Sequence, residues 1–168
     1  MKNWKRFVMG LTGTLLVLMT GCSQGETDPA PDEIPEVTVP PVIDVDVSQL
    51  LTTEEVASAL GAESVSLQIY EEGLWVHYAT EDGLSTVDVH IDKCERSMFD
   101  LILSQYADLQ EAPNLGDAAQ WSPETKELLA YGRGYSIVVV SDIPSAQQDT
   151  LLVASRQIAA RLLENLPA

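Results

Sequence analysis

His77 and His90 are the two histidines of the chain. Both fall in short alternating segments that also carry Trp75 and Asp88. Imidazole, carboxylate and indole groups in one patch could do three kinds of chemistry. They could ligate a metal, exchange a proton, or recognise a partner through polar and aromatic contacts. Whether they meet depends on the turn between them. Asp82-Gly83 is a strong hairpin signal. Taken as a two-residue turn, it sets Thr80 opposite Ser85, Tyr78 opposite Val87, His77 opposite Asp88 and Trp75 opposite His90. Period-two alternation then sorts the side chains. Val76, Tyr78, Val87, Val89 and Ile91 form an apolar face, and Trp75, His77, Thr86, Asp88 and His90 form the other. Tyr70 and Gln68 on the preceding strand have the parity to join them. The candidate binding face is therefore Tyr70, Trp75, His77, Asp88 and His90.

Three readings of this face follow. It is a wet outer surface with ordinary cross-strand pairs such as His77–Asp88, or a recognition surface for a protein or small ligand. The narrowest version is a metal site on His77, Asp88 and His90, which lacks a fixed further ligand. Elsewhere the chain offers little chemistry. It has no glycine-rich phosphate loop, no Cys-x-x-Cys, no Gly-x-Ser-x-Gly and no His-Glu-x-x-His. The acid pairs Glu54/Glu55, Glu71/Glu72 and Glu81/Asp82 fall in expected caps and turns, as do Asp117, Asp142 and Asp149. The expectation is a protein that is not an enzyme and carries no cofactor.

The elements that must position the face are legible from caps and periodicity. Thr52 with Glu55, flanked by Leu51 and Val56, is a capping box with a staple, and Gly61 ends that helix. Strands are expected at 65–70, 74–80 and 85–91. A helix from Met98 to Leu109 follows, capped by Ser97 with Asp100, with Phe99, Ile102, Leu103 and Tyr106 inward. Strands at 118–121, 127–131 and 135–141 repeat the order. Ser145 with Gln148 then opens a long helix to Leu166, with Leu151, Ser155, Ile158, Leu162 and Leu166 on one stripe. The expected fold is α+β in the order α-β-β-β-α-β-β-β-α, a mostly antiparallel sheet with helices packed on one face. By size, residues 48–168 form one domain.

The front of the chain is different. Lys2, Lys5 and Arg6 precede an apolar run from Phe7 to Met19, which ends in Thr20-Gly21-Cys22. That is the layout of a secretory signal. The run is shorter than the roughly 20 residues that span a bilayer core as a helix. Residues 1–21 are thus expected to be removed, which takes the formal charge from −17 to −20 with the loss of three positive residues. So acidic a chain is a poor ligand for nucleic acid. Residues 22–47 combine Cys22 with Pro29, Pro31, Pro35, Pro40, Pro41 and seven acids, an extended acidic tether. At ~3.1 Å per residue it could reach on the order of 80 Å. With Cys22 consumed, Cys94 is the single remaining thiol, so no intrachain disulfide is expected.

Leu18-Met19-Thr20-Gly21-Cys22 resembles the lipobox of bacterial lipoproteins, with Met19 where Leu is usual. The resemblance implies that Cys22 becomes the first mature residue and carries a diacylglyceryl group. The protein would then be membrane-anchored on the extracytoplasmic side of the cell envelope. The stretch Leu51-Thr52-Thr53-Glu54-Glu55-Val56 with Leu60-Gly61, and the later Leu115-Gly116-Asp117-Ala118-Ala119, are similar to domains of unknown function in lipoproteins of Gram-positive bacteria. That similarity spans most of residues 50–166 and brings no catalytic residues with it. It implies a surface lipoprotein. With no catalytic motif in the chain, the expected function is a non-catalytic one, binding an envelope protein or a small ligand.

Overall fold

Seven antiparallel strands form one sheet in the order β1-β2-β3-β7-β6-β5-β4 in a computed structural model that describes residues 45–167. Cys22, the signal segment and nearly all of the tether lie outside the described residues. A short helix α1 (Val47–Leu50) and α2 (Thr53–Leu60) precede the meander β1 (Val65–Tyr70), β2 (Trp75–Thr80) and β3 (Thr86–Lys93). Helix α3 (Arg96–Leu103) and a two-residue strand β4 (Gln110–Glu111) lead to the second meander, β5 (Ala118–Ser122), β6 (Glu127–Gly132) and β7 (Tyr135–Asp142). Helix α4 (Gln148–Asn165) closes the domain. The last strand of each meander is central, so β3 and β7 pair along eight residues from Thr86↔Asp142 to Lys93↔Tyr135.

The core lies between the sheet and α1, α2 and α4. Val76, Tyr78, Val87, Val89 and Ile91 are fully buried on this face, as expected, with Ile137, Val139, Leu128 and Ala130 continuing it. Leu151, Ser155, Ile158 and Leu162 of α4, and Leu166 at its C-cap, are all buried. The one polar member of that stripe is satisfied, because Ser155 Oγ donates to Ser141 Oγ at 2.9 Å. Helix α2 forms as its caps dictate. Thr52 Oγ1 accepts from Glu55 N, the Glu55 carboxylate accepts from Thr52 N at 3.0 Å, and Gly61 ends the helix with φ +66°. Such a cap is worth about 1 kcal/mol.

Six details depart from the sequence expectation. Helix α3 begins at Arg96 and stops at Leu103, not Leu109. Asp100 does not reach back to Ser97, because it pairs with Arg96 at 2.9 Å. At the other end Ser104 Oγ bonds the Leu101 carbonyl, and tight turns carry the chain out of the helix. Helix α3 also packs on the face opposite α1, α2 and α4. Its buried Phe99 stacks on Tyr131, 5.3 Å between ring centroids, and Tyr131 shares parity with Leu129 and Glu127 on that side. Helix α4 is entered through Gln147 rather than a Ser145–Gln148 box, since Ser145 sits at φ +60° and cannot act as an extended cap. The turn at Asp82-Gly83 widens into a loop of Glu81–Leu84, in which Asp82 accepts from Thr80 Oγ1 at 2.6 Å and Leu84 N at 3.0 Å. Finally, Val45 and Val47 are buried in the core, so the packed domain starts at least three residues before the expected 48.

Candidate functional site

The hairpin register places the candidate residues as the alternation requires. Trp75 pairs with His90, His77 with Asp88 and Tyr78 with Val87. On β1, Gln68 lies opposite His77 and Tyr70 opposite Trp75. One row across the sheet therefore reads Gln68, His77, Asp88, Val140, Glu127, Ser122. The next reads Tyr70, Trp75, His90, Val138, Leu129, Gln120. Both rows lie on the face opposite the main core. Their right-hand halves run under α3 and the segment that follows it, which brings Tyr106 to Glu127 and Asp108 to Ser122, and Leu129 there is fully buried. Their left-hand halves, over β1, β2 and β3, are open.

Within the open half the side chains form two small systems. Asp88 Oδ1 lies 2.8 Å from His77 Nδ1 and 3.4 Å from Trp75 Nε1, so one carboxylate oxygen gathers two ring nitrogens. Tyr70 stacks on Trp75 with centroids 5.3 Å apart and a 39° tilt, and its hydroxyl donates to Gln68 Oε1 at 2.7 Å. His90 belongs to the other system. Its Nδ1 is 3.5 Å from Asp92 and its Nε2 is 4.0 Å from Glu71. All five expected residues thus share one face, but the two histidines engage different carboxylates. Among the described residues no group of three or more His, Cys, Asp or Glu side chains is placed to hold a metal ion. The alternative ligand set His77, Asp88 and His90 is accordingly divided between two pairs.

Sequence reasoning missed Asp92 and Glu71. Asp92 was within reach: it is two residues past His90, and continuing the alternation beyond Ile91 would have placed it on the face. Glu71 is brought in by the 3-10 turn Glu71–Gly73 between β1 and β2, which no periodicity announces. A second polar cluster, at the α3 side, was hidden by the expected longer helix. There burial, together with the hydrogen bond that Tyr106 donates to Glu127 at 2.7 Å, pushes the phenol well above its ordinary range. Asp108 accepts from Glu124 N at 2.7 Å and Ser122 Oγ at 2.8 Å, bonds that hold its carboxyl below the usual range. These groups tie the β5–β6 turn to the segment after α3 and are satisfied by each other.

Charge divides along the chain as sharply as the face does. From Ser23 to Asp92 there is no lysine or arginine, and the six that follow Cys22 all lie at or beyond Lys93. Up to Asp92 the meander β1–β3 therefore carries Glu71, Glu81, Asp82, Asp88 and Asp92 with the two histidines as its basic groups, and Lys93 at the very end of β3 is the first lysine. Elsewhere, a cleft of about 510 Å³ between α2 and α4 is crossed by Arg161, which pairs with Glu55 at 3.6 Å and Glu164 at 2.9 Å. Its charges are mutually engaged on the helical side of the domain. No protein-family model matches the chain, and no curated protein or solved structure does so either.

Proposed function

We propose that this chain is a lipid-anchored binding module of the cell envelope, held on the extracytoplasmic side through Cys22. The open half of its sheet would engage an envelope protein or a small ligand. The single observation carrying this reading is the contrast between the two halves of one sheet face. Helix α3 and the segment after it cover the half over β6 and the β5–β6 turn, whereas the Tyr70–Trp75 stack and the His77–Asp88 pair meet solvent over β1–β3. Aromatic side chains with polar tips are enriched where proteins recognise partners. A non-catalytic role fits the same residues, because Asp88 is engaged by two ring nitrogens. The anionic surface fits neither nucleic acid nor an anionic bilayer as the bound partner.

The test is capture from native envelope with the full chain as bait, run beside the Trp75→Ala, His77→Ala double variant. The expected result is a protein or ligand retained by the wild type and lost by the variant, with both chains equally folded by circular dichroism. Equal capture by both would defeat the reading.

A further inference from the structure

We infer that the outer edge of β1 accepts an extended, lysine- or arginine-rich segment of a partner protein as an additional strand. This rests on the proposed binding role and names where and by what chemistry the partner docks. Among the described residues β1 ends the sheet, and nothing pairs with its outer side. Every second residue of such a strand turns its N–H and C=O outward, a row of donors and acceptors ready for another chain. The two ends of this sheet are handled differently. The far edge is the two-residue β4, too short to template a partner, whereas β1 offers six residues, Val-Ser-Leu-Gln-Ile-Tyr. None of the usual protections is present there: no proline, no lysine, no inward charge.

The side chains along this edge are accessible on both faces. Ile69 is 52% exposed on the helical side and Tyr70 is 44% exposed on the open side, with Ser66 and Gln68 exposed beside it. An added strand would bury Ile69 with its alternate residues and lay the others against Tyr70. Charge selects the occupant. Glu63 flanks one end of β1 and Glu71 the other, both exposed, with Glu81 and Asp82 on the adjoining loop. A second copy of this chain would set like charges together, because residues 23–92 hold no lysine or arginine to offset them. A basic strand meets the same edge with complementary charge.

The experiment uses the full chain in detergent and a short synthetic peptide alternating lysine and valine. The peptide should bind, bind less tightly as salt rises, and slow amide exchange specifically in residues 65–70. A glutamate–valine peptide should not bind, nor should the lysine peptide once alternate backbone nitrogens are methylated. Ile69→Lys, at an exposed site, should weaken binding about tenfold without lowering stability. Binding that leaves 65–70 unprotected, or that is indifferent to N-methylation or to Ile69→Lys, would overturn the inference. So would protection of β1 before any peptide is added, whether by a second copy or by the chain's own tether. If Trp75→Ala abolishes partner capture while Ile69→Lys does not, the face reading stands and the edge reading falls.

Discussion

His77 and Asp88 are directly opposed on neighbouring strands, with Nδ1 of the imidazole 2.8 Å from Oδ1 of the carboxylate. The contact organises the open face, since the same oxygen also takes the indole of Trp75. It fixes both rings without burying either polar group. His77 and Asp88 keep 27% and 33% of their side-chain surface in water. Such a pair orients a surface far more than it stabilises a fold.

A double-mutant cycle on His77→Ala and Asp88→Ala should therefore give a coupling below about 1 kcal/mol by urea unfolding. Partner capture should fall in either single variant, because His77 is itself part of the face and Asp88 holds Trp75 in place. A coupling of several kcal/mol would mark the pair as a buried structural element instead.

Cys22→Ser should release the protein into the soluble fraction or leave the precursor unprocessed. The two acyl chains proposed on Cys22, at ~0.8 kcal/mol per buried methylene, would make membrane release negligible. Fractionation with mass spectrometry of the mature N-terminus checks this. Retention in the membrane with normal processing would remove the lipid-anchor reading.

The junction between tether and domain gives a third test. Asp46 caps α1 through Ser48 N at 2.9 Å and lies against Gly73, which sits at φ +93°. A Cβ at residue 73 would come within 2.6 Å of Asp46 Oδ1. Gly73→Ala should cost about 2 kcal/mol from strain and clash together. Val47→Ala, at a fully buried site, should cost a similar ~2 kcal/mol. In the Asp46→Ala, Gly73→Ala double variant the loss should be less than the sum, because the clash is gone while the backbone strain stays. Thermal melts that are unchanged in all three would place this junction outside the folded unit.

Some signals confined to one turn of chain read well, although the Ser97–Asp100 and Ser145–Gln148 caps did not form. The Thr52–Glu55 box, the alternation of β2 and β3 and the α4 stripe are local patterns, and each appears where the residues put it. The hairpin register followed too, although its loop is wider, because Thr80↔Ser85 pairing survives in either loop. Long-range choices were not legible. Phe99 could as well have packed on the main core, and it lies on the far face because Tyr131 offers a ring there. Nothing near Asp100 says that Arg96 will outcompete Ser97 for it. The open face was found because parity alone defines it. That half of it would stay open was settled by where α3 lands.

The last prediction concerns alkaline pH and Tyr78. Its ring is fully buried, and its hydroxyl donates to the Leu51 carbonyl at 3.0 Å, joining β2 to the segment between α1 and α2. Burial, with Asp46 and Glu55 nearby, pushes the phenol up to about 12 from 10.0. The folded state therefore holds this proton more tightly than the unfolded state does. The stabilisation is complete below pH 10, where both states are protonated. It is lost as pH rises, because the unfolded chain ionises near 10 while the folded one resists until about 12. Stability should fall by about 3 kcal/mol across that window. Urea unfolding at stepped pH would measure it. Tyr78→Phe should flatten this part of the profile while costing about 1–3 kcal/mol at neutral pH, since the Leu51 carbonyl loses its partner. An unaltered alkaline slope in Tyr78→Phe would mean that other tyrosines, Tyr106 first among them, carry the effect.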